Sequence, residues 1–138
     1  LFDPEASLSF TGDTGPYIQY MGARASSIIR KHESGEGNAH LGHVDPAKLI
    51  GDSDWGLVQA VAGLTQTISI AGSSLDPSIL ASYLHDLAAE FSTWYKENPV
   101  LNCPDMDLAA TRLELVRVVR RTLQVGMDLA AIPFLDAM

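Results

Sequence analysis

The stretch GDTGPYIQYMGARASSIIRK, residues 12–31, decides how the rest of the chain is read. It opens with the turn residues Gly12, Asp13, Thr14 and Gly15. Pro16 suits the first turn of a helix, where its missing N–H would be unpaired anyway. Asp13 or Thr14 is placed to cap that end. The spacing predicts a helix from Tyr17 to His32. At ~100° per residue, Ile18, Met21, Ala25, Ile28 and Ile29 fall on one face, the core side. Tyr17, Tyr20, Arg24, Ser27 and Lys31 fall on the neighbouring stripe. That stripe borders the core without being apolar.

Working outward, residues 1–15 read as an extended lead-in, with Asp3-Pro4 as a turn signal and SLSF as a short strand lacking a sheet to join. The chain begins with Leu and is read as a piece of a longer protein. Residues 33–46, ESGEGNAHLGHVDP, read as a mobile polar loop, followed by a single helical turn at AKLI. A second helix starts at Asp52-Ser53-Asp54 and runs to about Ala71. Gly63 and Thr67-Ile68 weaken its propensity, so burial must hold it. Asp76 caps and Pro77 starts a third helix reaching Glu97. Its apolar positions Leu80, Leu84, Leu87, Phe91 and Trp94 keep helical spacing. Pro99 and Pro104 break the chain there. A fourth helix starts at Asp105 or Asp107 and ends near Ala131, before Pro133. Leu108, Leu115, Val116, Val119 and Leu123 share one face, widened by Val118, Val125 and Leu129, which predicts a central helix. Four helices with no strand ladder make the expected fold all-α, an antiparallel helical bundle.

Composition bounds function. At 138 residues with 46% hydrophobic and 19% charged content, the chain is one domain able to bury a core. No apolar run reaches the ~18 residues of a membrane span, and no signal peptide is visible. The single cysteine, Cys103, excludes an internal disulfide, which fits a reducing cytoplasm. A net charge of -8 argues against a general nucleic-acid clamp, because such affinity comes from neutralising phosphates. Much of that negative charge sits in DPE, HESGE and GDSD, away from the tyrosine–arginine stripe.

On that stripe, aromatic faces can stack unpaired bases and cations can hold phosphates. The helix start adds free N–H groups that favour an anion. A tyrosine at a core border also ordinarily packs its ring and leaves its hydroxyl in water. A second basic group, Arg117, Arg120 and Arg121, lies on the fourth helix, where such groups often pair with carboxylates. Tyr95 and Lys96 close the third helix. His40 and His43 have metal-compatible spacing but no second pair of ligands, so no metal site is expected. Asp86, Glu90 and Glu97 read as surface charges. Cys103 has no activating base, so no catalytic residue is expected.

Three stretches carry a family resemblance. Residues 12–31 closely resemble the junction between the catalytic core and the C-terminal, DALR-type anticodon-binding domain of arginyl-tRNA synthetases, with its Gly-Pro-Tyr-x-Gln-Tyr. DPSILASYLHDLAAEFSTWYKENPVL, residues 76–101, resembles that family's Tyr-Leu-x-Asp-Leu-Ala helix and its Pro-Val-Leu. ATRLELVRVVRRTLQVGMDLAAI, residues 110–132, resembles its last long helix. Met21-Gly22 departs from the family's usual Ala-His.

The resemblance implies a lead-in at 1–15 from a missing catalytic domain and an anticodon-binding domain at 16–138. It implies tRNA as partner, through the arginine-specific anticodon loop, together with the catalytic domain of the same parent chain, and neither membrane nor DNA. The parent family uses ATP and Mg, but this chain has no His-Ile-Gly-His-type, Lys-Met-Ser-Lys-type or phosphate-loop motif, so no cofactor is expected in it. The matching positions are Tyr17, Tyr20, Tyr95 and Met138. Arg24, Lys31, Arg117, Arg120 and Arg121 are added as backbone-holding cations on charge alone. Two alternatives stay open: a protein-interaction module presenting Tyr17, Tyr20 and Trp55, or an anticodon-type domain of another synthetase.

Overall fold

Thr14 supplies the expected cap: its Oγ1 accepts from the Tyr17 N–H at 3.2 Å, and Pro16 lies in the first turn. The computed structural model describes residues 14–138, together with Pro4. The SLSF strand and most of the extended lead-in lie outside the described residues. Helix α1 spans Gly15–Glu33, α2 Asp52–Ala62, α3 Leu64–Ser74, α4 Pro77–Glu97 and α5 Met106–Leu129. Among the described residues there is no strand, and the all-α bundle holds.

The core is built from the expected stripes. Ile18, Met21, Ala25 and Ile28 of α1 are buried, with Ile29 half-buried. All five apolar positions anticipated on α4 are buried. Helix α4 packs against each of the other four helices, and α5 packs against α1, α2 and α4. The Trp94 indole N–H donates to Asp54 Oδ1 at 2.8 Å, and the other oxygen of that buried carboxylate accepts from the Gly51 N–H at 3.2 Å. A buried carboxylate is tolerable only with such partners.

Three expectations need correction. The second helix is not continuous: it breaks at Gly63, where the Tyr83 hydroxyl donates to the carbonyls of Ala60 at 2.7 Å and Val61 at 3.3 Å. Burial of that hydroxyl's ring pushes the Tyr83 pKa up to about 12. Helix α3, beyond the break, has no buried residue. Nor is the 33–46 loop, expected to be mobile, without anchors. Asn38 donates to the Cys103 carbonyl at 2.6 Å, the His43 N–H to Asp107 Oδ1 at 2.8 Å, and the Asp45 N–H to Thr111 Oγ1 at 2.9 Å. Gly37, at φ +80, presses on the Leu101 carbonyl so closely that no Cβ fits. Finally, the apolar face of α5 is narrower on one flank: Val118 and Leu129 are exposed, and Ala109, Leu113 and Met127 are buried instead. Gly126 lets α5 come close to α4, since a Cβ there would stand 2.5 Å from Leu84 Cδ2, which the count of large apolar residues could not show.

The helix ends follow hydrogen-bond chemistry. Gly35 ends α1 in the left-handed region. Leu75 and Ala131 do the same for α3 and α5, with φ of 52 and 56. At α5, Ile132 N–H reaches the Met127 carbonyl and Ala131 N–H the Asp128 carbonyl, so the helix has already turned before Pro133.

Candidate nucleic-acid interface

Tyr20 lies one turn into α1 and is 40% exposed. Its neighbours are set by the chain end, which returns across α1 after α5. Phe134 seats its ring over Gly22: a Cβ there would stand 2.7 Å from Phe134 Cε2. Gly22, a poor helix residue by propensity, is thus the residue that lets the tail cross. Gln19 donates to the Pro133 carbonyl at 3.0 Å, Ser26 to Asp136 Oδ1 at 3.0 Å, and Arg30 to the Asp136 carbonyl at 2.5 Å. Arg120 of α5 completes the set, donating to Asp136 Oδ1 at 2.5 Å and Ser26 Oγ at 2.8 Å, with its guanidinium 5.0 Å from the centre of the Phe134 ring. Hydrogen bonds from Arg120 and then Ser26, with the nearby charges of Arg120 and Arg30, hold the Asp136 carboxyl below the usual carboxylate range.

The result is a hollow of about 200 Å³ lined by Tyr20, Ala23, Arg24, Ser27, Arg30, Ala137 and Met138. Three of the residues singled out in the sequence, Tyr20, Arg24 and Met138, therefore meet in one place. Arg24 extends the surface, because its guanidinium lies 5.0 Å from the centre of the Tyr95 ring. That is cation–π range, and it leaves the cation beside an aromatic face. Tyr95 and Lys31 in turn line a groove with Lys96.

The other singled-out residues are placed differently. Tyr17 is half-buried, its ring 5.3 Å from that of His85. Arg117 pairs with Glu114 at 3.2 Å and, with Arg30 and Arg120, lines a second hollow on the α5 side of α1. Arg121 is exposed and reaches Gln124 at 3.4 Å. Arg120 is occupied by the tail. The acids are less segregated than the sequence suggests: Glu33 lines the Arg117 hollow and Glu36 the Lys31 groove. Arg30, Ser26 and Asp136 escaped the sequence reading. Arg30 falls off the stripe on a helical wheel, and only the returning tail gives it a role.

His40 lies beside His32, ring centres 6.2 Å apart. Among the described residues no group of three or more His, Cys, Asp or Glu side chains is placed to hold a metal ion, and no helix is long and apolar enough to cross a membrane.

Comparison with known proteins gives a consistent family. The DALR anticodon binding domain matches residues 18–138. The arginine–tRNA ligase of Treponema denticola is 44% identical over 140 residues, covering 100% of this chain and 24% of that protein. That of Clostridium beijerinckii is 38% identical, again over 100% of this chain and 24% of its own length. The Thermus thermophilus arginyl-tRNA synthetase structure superposes with a TM-score of 0.86 at 37% identity, covering 99% of this chain and 23% of that one. The chain thus spans about a quarter of the length of the relatives it matches.

Proposed function

The chain belongs to the DALR anticodon-binding domain family, and on that premise we propose that it receives the anticodon loop of an arginine tRNA. No bond is made or broken in it. It serves a larger arginine–tRNA ligase by fixing the RNA so that the far end reaches a catalytic core outside this chain, a contribution of position and orientation. The observation that carries this reading is the convergence of Tyr20, Arg24 and Met138 on one hollow, with Tyr95 stacked beneath the same arginine.

Single-stranded loops are read by splaying bases onto aromatic and apolar surfaces while cations hold the backbone. Tyr20 and Met138 supply such a surface; Tyr17 stands one turn before Tyr20 on α1, and Tyr95 of α4 lies beneath Arg24. Arg24 and Lys31 would hold phosphates, with Arg117 and Arg121 as outlying contributors. Arg120 acts by holding the tail instead. ATP and Mg belong to the parent's chemistry and have no binding motif in this chain.

The test is a titration with an arginine-tRNA anticodon stem-loop and with one from an unrelated tRNA. The arginine loop is expected to bind more tightly, and its affinity to fall with salt. Tyr20→Ala removes one stacking face, so binding weakens by about 1–3 kcal/mol. Helix content is retained, because Tyr20 stands outside the buried core. Equal indifference to both RNAs at low salt would favour a protein-docking module instead, with Trp55, 60% exposed on α2, as its anchor.

A further inference from the structure

The tail after α5 makes more directional contacts than its exposure would suggest. Residues 133–136 offer two backbone carbonyls, one ring and one carboxylate, and each has a partner on α1 or α5. The Asp136 carboxylate is largely in water, with 66% of its side chain accessible. A solvent-exposed ion pair contributes little on its own. Its value here is geometric, since Arg120 bridges Asp136 and Ser26 from a different helix and fixes where the tail crosses. The next two residues, Ala137 and Met138, form one wall of the hollow facing Tyr20. A six-residue tail without such anchors would sample many conformations, and ordering it on binding would cost affinity.

We infer that Asp136, Arg120 and Phe134 are positioning residues that lock the chain end across Gly22 and so hold Met138 in place as a preformed wall of the RNA-binding hollow. None of the three needs to touch RNA. The inference rests on the proposed function for its consequence and on the tail contacts for its geometry. It separates the two kinds of arginine on these helices: Arg24 faces the ligand, whereas Arg120 faces the tail.

The test compares the 138-residue chain with Asp136→Asn and Phe134→Ala, and with Val118→Ala, at an exposed position of α5 that touches neither the tail nor the hollow, as a control. Two readouts are taken: backbone order parameters of residues 134–138 without RNA, and affinity for the arginine anticodon stem-loop. In the unsubstituted 138-residue chain the tail amides are expected to be as ordered as the helices. In Asp136→Asn and Phe134→Ala they should fall below about 0.6, the flexible range. Helix content should be unchanged, and affinity should weaken about threefold to tenfold, the cost of ordering a few residues. Val118→Ala should leave both tail order and affinity unchanged. A tail that stays ordered in both variants overturns the lock. A tail that loosens with no loss of affinity overturns its role in binding. An unsubstituted 138-residue chain that fails to bind the stem-loop overturns the proposed function and with it the positioning role, while the order parameters still report whether the lock exists.

Discussion

Trp94 shows how much a single side chain carries. It is fully buried, and its N–H meets the buried carboxylate of Asp54. Trp94→Phe removes volume and leaves Asp54 short of a donor, two separate penalties. Together they should lower stability by about 2–4 kcal/mol, read by chemical denaturation. At Asp136 the effect is a pH dependence. Its carboxyl titrates below the usual range in the folded chain. Its contribution is therefore complete above the ordinary carboxylate pKa and disappears as pH falls through the lowered value. On acidification the amides of residues 134–138 should change before those of α4, followed by NMR. Sequence reading reached Trp94 as a core residue from its spacing. It had no means to reach Asp54, because the partner lies 40 positions away.

At the level of elements, helix starts were legible and helix ends less so. The caps Thr14, Asp76 and Asp105 are local chemistry: a side-chain oxygen accepting from an N–H two or three residues on. The break at Gly63 needed Tyr83, a residue from another helix, to take up the carbonyls at the bend. The ends of α3 and α5 put Leu75 and Ala131 in a backbone region that favours glycine. Leu75 is 89% exposed, so its side chain contributes no packing. Leu75→Gly should therefore raise stability by about 0.5–1 kcal/mol, the relief of strain less glycine's extra freedom in the unfolded chain. The expected rise in melting temperature is about 2–4 °C. The interface elements divide in the same way. Tyr20 and Arg24 were visible as a stripe on one helix, whereas the hollow they share with Met138 depends on a tail crossing that no periodicity encodes.

On the scale of the whole molecule, the net charge of -8 and an RNA-binding role are compatible because affinity depends on the face presented. The face around Arg24 and Lys31 is basic, though Glu33 and Glu36 stand close by. Few phosphates should be neutralised by this chain alone, giving a shallow salt slope of roughly -0.7 per contact on a single-stranded loop. Arg24→Ala should reduce that slope by about one contact. Helix α3 points to something else. It is eleven residues long and buries none of them. An isolated helix of that length is marginal in water. Deuterium should therefore enter its amides well before those of α4, so that the chain loosens at one corner while the side carrying the Tyr20 hollow stays closed.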